Sequence, residues 1–258
     1  MKSLSAFSLI IAFATFSQAQ NLTRPNISAP GGFSVNSYSG NLFLQRADVF
    51  IPGRGLSLEV TFSYNSIQKA ENRGKGNGWR MNYDMCYSVL SNQSVVIERM
   101  DGRRDTFALS GSNYVPPTGI FDSLTQYSAN KFRLRTTSGM VYLFEEASHR
   151  CLTRITDRNN NSITLAYSNG RLSTATDPAG RSLTFTWAGN KLTQVTDPIS
   201  NPNRIFSYAY DGLGNLLRYT DPDGKETRYG YGPANELREV IDANGNQAVV
   251  SYNSSGAV

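Results

Sequence analysis

The second half of this 258-residue chain repeats about every 20 residues, and no other feature restricts the fold as strongly. One marker is an aspartate after a short apolar run; it recurs at steps of 20, 20, 24 and 21 residues, at Asp157, Asp177, Asp197, Asp221 and Asp242. The other is an aromatic residue that recurs at steps of 20, 23, 21 and 21 residues, at Tyr167, Trp187, Tyr210, Tyr231 and Tyr252. Two independent markers that agree five times indicate one supersecondary unit, repeated.

Each unit has the pattern of a β-hairpin. It opens on a leucine (Leu152, Leu172, Leu192, Leu216 or Leu237), and the aspartate that follows is often succeeded by Pro and Gly. Apolar and polar residues then alternate, as in Leu183, Phe185 and Trp187 against Ser182, Thr184 and Thr186. Period-two alternation between turn residues predicts short antiparallel strands with one covered face. One hairpin cannot bury that face alone, so the sequence predicts an all-β fold in which stacked hairpins form a curling sheet.

The recurring aromatic residues should form a ladder along the covered face. Period-two spacing favours a packing role for this ladder, with a sugar-stacking role as the alternative. The recurring aspartates are interpreted as residues that start turns, because a catalytic carboxylate occurs once and a turn residue occurs in every turn.

Composition excludes several other classes. The chain has 25 Lys+Arg, 20 Asp+Glu, one His and two Cys, which gives a formal charge of +5 with only 17% charged residues. This charge is too low for a disordered charged tail, and two cysteines cannot make a disulfide scaffold.

The first 19 residues are typical of a secretory signal peptide. Lys2 precedes an apolar stretch from Leu4 to Phe16, and Ser17-Gln18-Ala19 offers small residues at a cleavage site. We therefore expect export, to a secreted, cell-surface or periplasmic location, with a flexible leader over residues 20–30 and no membrane span in the mature chain. An exported protein permits Cys86 and Cys151 to form a disulfide, but the sequence leaves open whether they pair or are two buried thiols.

The repeats resemble those of the Rhs or YD-repeat family. The shared pattern is Leu-x-x-[Val/Ile]-Thr-Asp-Pro-x-Gly followed by alternation to Tyr, and the dipeptide that names the family stands at Tyr210-Asp211. Five clear units cover residues 151–258, and residues 106–150 read as degenerate units. Residues 31–105 are similar to the domain of unknown function that often precedes such repeats, through Tyr38–Leu42, Pro52–Leu58 and Gly76–Trp79.

The resemblance implies a structural role. In large bacterial Rhs/YD proteins the repeats wind into a hollow shell that holds a C-terminal toxin, and surface forms have been linked to carbohydrate binding. The expected function is thus a non-catalytic shell segment, with a cell-surface carbohydrate-binding or cell-contact module as the alternative. Because no toxin segment is recognised here, the expected partner is a C-terminal continuation of the shell with its toxin, or a surface glycan.

A search for catalytic or ligand-binding patterns predicts neither an enzyme nor a cofactor or metal site. His149 is the single histidine, and no Gly-x-Ser-x-Gly pattern surrounds a serine. Lys131, Arg133 and Arg135 share one strand face but read as solvated charges, so no nucleic-acid partner is expected. Gly74–Gly78 lacks the context of a phosphate-binding loop and is predicted to be a mobile loop.

Overall fold

The structure is a computed structural model that describes residues 26–28 and 33–258. The predicted signal peptide, residues 1–19, and most of the predicted leader lie outside the described residues. The described part is built of antiparallel strands with one turn of 3-10 helix at Ser66–Gln68, so the prediction of an all-β fold is confirmed. Among the described residues, no helix has the length and apolar character needed to cross a bilayer.

The N-terminal part forms a five-stranded antiparallel sheet in chain order. Its strands are β1 (Asn26–Ser28), β2 (Phe33–Asn36), β3 (Leu42–Ile51), β4 (Leu58–Asn65) and β5 (Trp79–Met81). The backbone of β1 pairs with the edge of β2 that β3 leaves free. The prediction of a flexible leader is therefore wrong for Asn26–Ser28, because an open strand edge offers hydrogen-bond partners to any extended segment that reaches it.

The next seven strands lead into the repeats. They are β6 (Cys86–Val89), β7 (Val95–Glu98), β8 (Arg104–Ser110), β9 (Asn113–Val115), β10 (Ser123–Ser128), β11 (Lys131–Arg135) and β12 (Val141–Phe144). Each is hydrogen-bonded to the strand before and after it, beginning with the pair β6–β7. The strands β6 and β7 fall within residues 31–105 by sequence, yet they belong to the same series as the repeats and not to the five-stranded sheet.

The repeats continue this series as ten more strands. They are β13 (Arg154–Thr156), β14 (Ser162–Ser168), β15 (Arg171–Thr176), β16 (Ser182–Ala188), β17 (Lys191–Asp197), β18 (Arg204–Tyr210), β19 (Leu216–Thr220), β20 (Glu226–Tyr231), β21 (Leu237–Ile241) and β22 (Gln247–Val249). A β-bulge immediately precedes the aromatic residue in β14, β16, β18 and β20. Since a bulge increases the local twist, its return in four of the five units bends the sheet progressively.

The five-stranded sheet packs on the covered face of the repeats, and one core joins the two. Rings from the two parts meet in pairs: Phe62 lies 5.0 Å from Tyr208, and Trp79 lies 5.1 Å from Tyr229 between ring centroids. The leucines that open the units are all buried, as are alternate residues such as Leu183 and Phe185. Burial of this continuous apolar surface is the main favourable contribution to the fold.

Candidate functional site: the covered face of the repeats

The recurring aspartates accept hydrogen bonds from backbone N–H groups in tight turns, where those groups have no backbone carbonyl partner. In Asp177 one carboxylate oxygen accepts the backbone N–H groups of Ala179 and Arg181, both at 2.9 Å. Asp157, Asp221 and Asp242 accept the N–H groups two and four residues on in the same way. In the longest unit the Asp197 carboxylate is also paired with the Arg204 guanidinium, at 2.6 Å. These carboxylates are therefore occupied in holding turns.

Asp211, in the dipeptide that names the family, forms the same turn. Its carboxylate accepts the N–H of Leu213 at 2.9 Å and that of Asn215 at 2.7 Å, and also binds the Asn215 amide. The sequence analysis did not assign Asp211 this role. The available signal was the Asp-x-x-Gly-Asn spacing that residues 211–215 share with residues 242–246.

The aromatic ladder is held by a hydrogen bond in every unit. The polar tip of each ring donates to the carbonyl of the leucine that opens its own unit, at 2.7–2.9 Å, in the pairs Tyr167–Leu152, Trp187–Leu172, Tyr210–Leu192, Tyr231–Leu216 and Tyr252–Leu237. Burial raises the pKa of the Tyr210 hydroxyl, so it stays protonated and donates. The rings are half-buried and pack against the core.

The same aromatic residues also meet the following unit. In the strand register Tyr167 lies opposite Leu172, Trp187 opposite Leu192, and Tyr210 opposite Leu216. Each of these rings, and likewise Tyr231 opposite Leu237, thus binds the leucine of its own unit and packs beside the leucine of the next. These two contacts fix the orientation of each ring in the sheet.

The segment from Asn72 to Gly78 is docked on the repeats. The N–H of Leu192 donates to the Gly74 carbonyl at 2.8 Å, and the Asn77 amide donates to the Leu213 carbonyl at 2.9 Å. Lys75 is only 3% exposed; its ammonium lies 2.9 Å from the Asp84 carboxylate and 5.1 Å from the centre of the Trp187 ring. The prediction of a mobile loop is wrong here, because its partners on the repeats, such as Leu192 and Leu213, lie more than 100 residues away and leave no local signal.

A buried ion pair secures the five-stranded sheet against the repeats. Arg46 donates to Asp48 at 2.9 Å, and the Tyr208 hydroxyl donates to the same carboxylate oxygen at 2.8 Å. The Arg46 guanidinium lies 4.1 Å from the centre of the Tyr219 ring and also bonds to the Tyr229 hydroxyl. Burial, followed by the nearby Asp48 carboxylate, raises the pKa of Tyr208 well above its usual range. Sequence reasoning missed this pair; the signal was two opposite charges, two residues apart, inside a largely apolar strand.

His149 and the two cysteines lie together at the start of the repeats. Cys86 and Cys151 form a disulfide, and backbone hydrogen bonds flank it from Tyr87 to Arg150 at 2.9 Å and from Leu152 to Met85 at 2.8 Å. The His149 ring stacks on Tyr167 at 4.0 Å, and its Nδ1 accepts the Cys151 N–H at 3.2 Å. Burial lowers the pKa of His149, which favours the neutral ring that this hydrogen bond needs. The ring therefore extends the aromatic ladder by one position.

Within residues 33–258, no group of three or more His, Cys, Asp or Glu side chains is arranged to hold a metal ion. The site consists of turn carboxylates, a hydrogen-bonded aromatic ladder and a docked loop. An arrangement of this kind defines a repeat protein whose recurring residues hold one hairpin to the next.

Comparison with known proteins places the chain in a family. Residues 32–107 match the Domain of unknown function (DUF6531), and residues 147–180, 168–198 and 210–247 match the RHS Repeat. The chain is an Rhs-repeat protein, with a DUF6531 domain followed by RHS repeats, as the sequence motifs predicted.

Its relatives are much longer proteins. The chain is 36% identical over 225 residues to the tRNA nuclease WapA of Bacillus subtilis (strain 168), a match that covers 86% of this chain and 9% of that protein. It is 30% identical over 145 residues to the tRNA3(Ser)-specific nuclease WapA of Bacillus spizizenii, covering 55% of this chain and 6% of the relative. Among solved structures, a chain in the crystal structure of TcdB2-TccC3-Cdc42 matches with a TM-score of 0.32 and 12% identity, covering 81% of this chain and 12% of that chain.

Proposed function

We propose that this chain is a non-catalytic wall segment of an exported Rhs-repeat protein, of the kind that encloses and delivers a toxin. The observation that carries the proposal is the ladder, in which each of the first four rings bonds to its own unit and packs on the next. These contacts join each unit to its neighbour and so make one continuous sheet. A wall also has to be continuous from unit to unit.

A non-catalytic role is supported by how the candidate groups are used. The turn carboxylates accept backbone N–H groups, and His149 accepts the N–H of Cys151. We do not transfer the tRNA nuclease activity of the relatives to this chain, since the match covers 9% of the Bacillus subtilis protein. In this proposal the partner is a toxin carried with further repeats, and the wall keeps it apart from solvent.

The wall function can be tested by protease protection of the protein expressed from its complete gene. We expect any segment that follows the repeats to resist proteinase K while the repeats are folded. A variant with Tyr210→Ala and Tyr231→Ala, which removes two ladder rings, should make that segment cleavable. Cleavage at equal rates in both proteins would contradict enclosure by this wall.

The non-catalytic role needs a separate assay. The purified chain should have no ribonuclease or glycoside hydrolase activity above that of a mock purification. Activity that follows the protein through purification and disappears in His149→Ala or Asp221→Asn would overturn this part of the proposal.

Export rests on residues 1–19 and on the disulfide, which persists in oxidising compartments. We expect the chain with residues 1–19 to leave the cytoplasm and to lose them, and the chain without them to stay inside. Cell fractionation with mass spectrometry of the mature N-terminus measures both outcomes. An uncleaved N-terminus in the cytoplasmic fraction would refute export by this route.

A further inference from the structure

Strands β6–β9 are connected to the strands that follow them by two narrow joins. One join lies between β9 and β10, where Tyr114 and Leu124 form a single registered pair. The other is the antiparallel bridge between Cys86 of β6 and Cys151, which lies just before β13. By comparison, β10 and β11 are joined by five residue pairs. The two narrow joins close strands β6–β13 into a ring, and the disulfide crosses the second of them.

The backbone of the second join is held by two hydrogen bonds and the disulfide. The N–H of Tyr87 donates to the Arg150 carbonyl at 2.9 Å, and the N–H of Leu152 donates to the Met85 carbonyl at 2.8 Å. The two bonds flank the disulfide, as they do at a non-hydrogen-bonded pair of an antiparallel ladder. A backbone hydrogen bond adds little net stability, because water replaces the partner when the join opens. The disulfide is therefore the strong restraint on a weak backbone join.

Side-chain packing keeps β6 close to the ring when the join opens. The Tyr87 ring lies 4.7 Å from Phe132 and 5.7 Å from Phe144 between centroids, and its hydroxyl donates to the Asn130 carbonyl at 2.6 Å. On its other edge β6 pairs with β7 through four residues. Opening of the join is therefore local, and it can be reversed.

A small thiol in solution can reach the disulfide. Cys86 and Cys151 are both partly exposed, whereas Met85 and Tyr87 on either side of Cys86 are buried. Residues 146–148 and Arg150, which lead into Cys151, are exposed. Thiol–disulfide exchange needs access to a sulfur atom, and exposed disulfides are the more easily reduced ones.

The second join also touches the first ring of the aromatic ladder. Leu152, whose N–H bonds to β6, accepts the Tyr167 hydroxyl at its own carbonyl. The Cys151 N–H donates to the His149 ring, which stacks on Tyr167. Movement at Cys151 and Leu152 therefore reaches the start of the repeats directly.

We propose that the Cys86–Cys151 disulfide is a reducible lock on the ring of strands β6–β13, which low-molecular-weight thiols open when the protein enters a reducing compartment. A thiolate attacks one sulfur, forms a mixed disulfide with it and displaces the other cysteine as a thiolate. A second thiol attacks the mixed disulfide and releases the first cysteine, so that two electrons pass to the protein and the two thiols leave as one disulfide.

The reduced protein keeps β6 paired with β7 and lets β6–β9 move away from Leu152 about the β9–β10 join. The lock goes beyond the wall function, because a wall needs no means of opening. Oxidising surroundings outside the cell keep it closed, and a cytoplasm supplies the thiols that reduce it.

The test measures hydrogen exchange of the folded protein before and after incubation with reduced glutathione and glutathione disulfide at a cytosolic ratio. Alkylation and mass spectrometry give the fraction of Cys86 and Cys151 that is reduced. We expect reduction without denaturant, with exchange at the Tyr87 and Leu152 amides faster by about tenfold or more and exchange in β16 and β17 nearly unchanged. C86S/C151S should show the same fast exchange without glutathione and no further response to it.

The control is Y87F, which loses the hydrogen bond to the Asn130 carbonyl but keeps the cross-link. Its Tyr87→Phe and Leu152 amides should stay protected until glutathione is added. Fast exchange in Y87F before reduction would assign the restraint to the tyrosine and overturn the lock. A disulfide that stays oxidised in the folded protein, unchanged exchange after reduction, or an equal rise in all strands would overturn it too. No cargo is needed, so these outcomes are independent of the protease-protection test of the wall.

Discussion

At the residue scale, two side-chain types carry most of the repeat. The turn aspartates satisfy backbone N–H groups that would otherwise need water, and the ladder hydroxyls satisfy leucine carbonyls. Buried or half-buried backbone groups without partners are costly, so each of these side chains is held in place by the bond it makes. Asn253 shows that charge is not essential to the turn, since its amide oxygen accepts the N–H groups of Ser255 and Ala257 at 3.0 Å.

The turn carboxylates should make stability depend on pH. Side-chain hydrogen bonds from Asn161 and Asn246 lower the pKa of Asp157 and Asp242 in the folded protein. Their contribution is complete above the usual aspartate pKa of about 3.9 and is lost as the pH falls through the lower folded-state values.

We therefore expect D157N/D242N to fold with the same kind of turn that Asn253 forms. Between pH 5 and pH 2, its free energy of unfolding should fall by less than that of the unaltered protein, as measured by urea unfolding at each pH. The control is D223N, whose carboxylate is exposed and holds no turn N–H in the described structure. If the free energy of unfolding of D157N/D242N fell with pH as steeply as that of the unaltered protein, these hydrogen bonds would contribute nothing to the pH dependence of stability.

The ladder hydroxyls should contribute measurably to stability. Tyr210→Phe keeps the ring but leaves the Leu192 carbonyl without its donor, so we expect the free energy of unfolding to fall by about 1–2 kcal/mol. Tyr127→Phe, at an exposed ring, should stay within about 0.5 kcal/mol. Denaturant unfolding of the two variants measures both effects. Equal losses of stability in the two variants would contradict a stabilising role for the hydroxyl hydrogen bond.

At the element scale, the hairpin is the unit that the sequence encodes and the bulge is what makes it curl. The sequence predicted the turn aspartates, the opening leucines and the period-two alternation, because each of these depends on residues within about 20 positions. The bulges next to Tyr167, Trp187, Tyr210 and Tyr231 were not, since alternation continues through them in the sequence. The burial of the polar face of β4 was also not predicted. Thr61 and Ser63 on that face are buried, and Ser63 lies opposite the buried Arg80.

The disulfide joins β6 to the first repeat and closes a loop of 65 residues. Because a cross-link restricts the unfolded chain, Cys86→Ser with Cys151→Ser should lower the free energy of unfolding by about 4 kcal/mol. Alkylation of the denatured protein should label no thiol before reduction and two after it. Two labelled thiols without a reductant would contradict the bond.

At the scale of the whole molecule, the five-stranded sheet and the repeats share one core. The contacts that join them, at Arg46, Gly74 and Asn77, link positions far apart in the sequence. Sequence patterns report local periodicity and family motifs, so they predicted both halves and left the docking between them unpredicted. That Arg133 and Arg135 share a strand face was visible in the sequence, but that they have no carboxylate partner among the described residues is visible only in the structure.

A close backbone approach at Gly74 tests this docking. A Cβ there would lie 2.1 Å from the Asn190 carbonyl oxygen, whereas a Cβ at Gly180, with nearly the same φ of +81°, meets nothing within 4 Å. Both Gly→Ala changes carry the cost of a left-handed backbone, about 1–2 kcal/mol. We expect G74A to be the more destabilising by about 1–3 kcal/mol, the range for overpacking, and to increase hydrogen exchange in β17 and β19. Equal destabilisation in G74A and G180A would mean that the loop is not docked.

The way each ladder ring divides its contacts has a consequence for how the gene can change. A ladder ring donates a hydrogen bond to the leucine carbonyl of its own unit and packs beside the leucine of the next unit, and that position is a leucine in every unit. Duplication or loss of one whole block of coding sequence therefore recreates joins that already exist. Recombination between blocks can alter the size of such a protein without inventing a new interface, whereas an insertion that shifts the phase within a block exposes its apolar side to water.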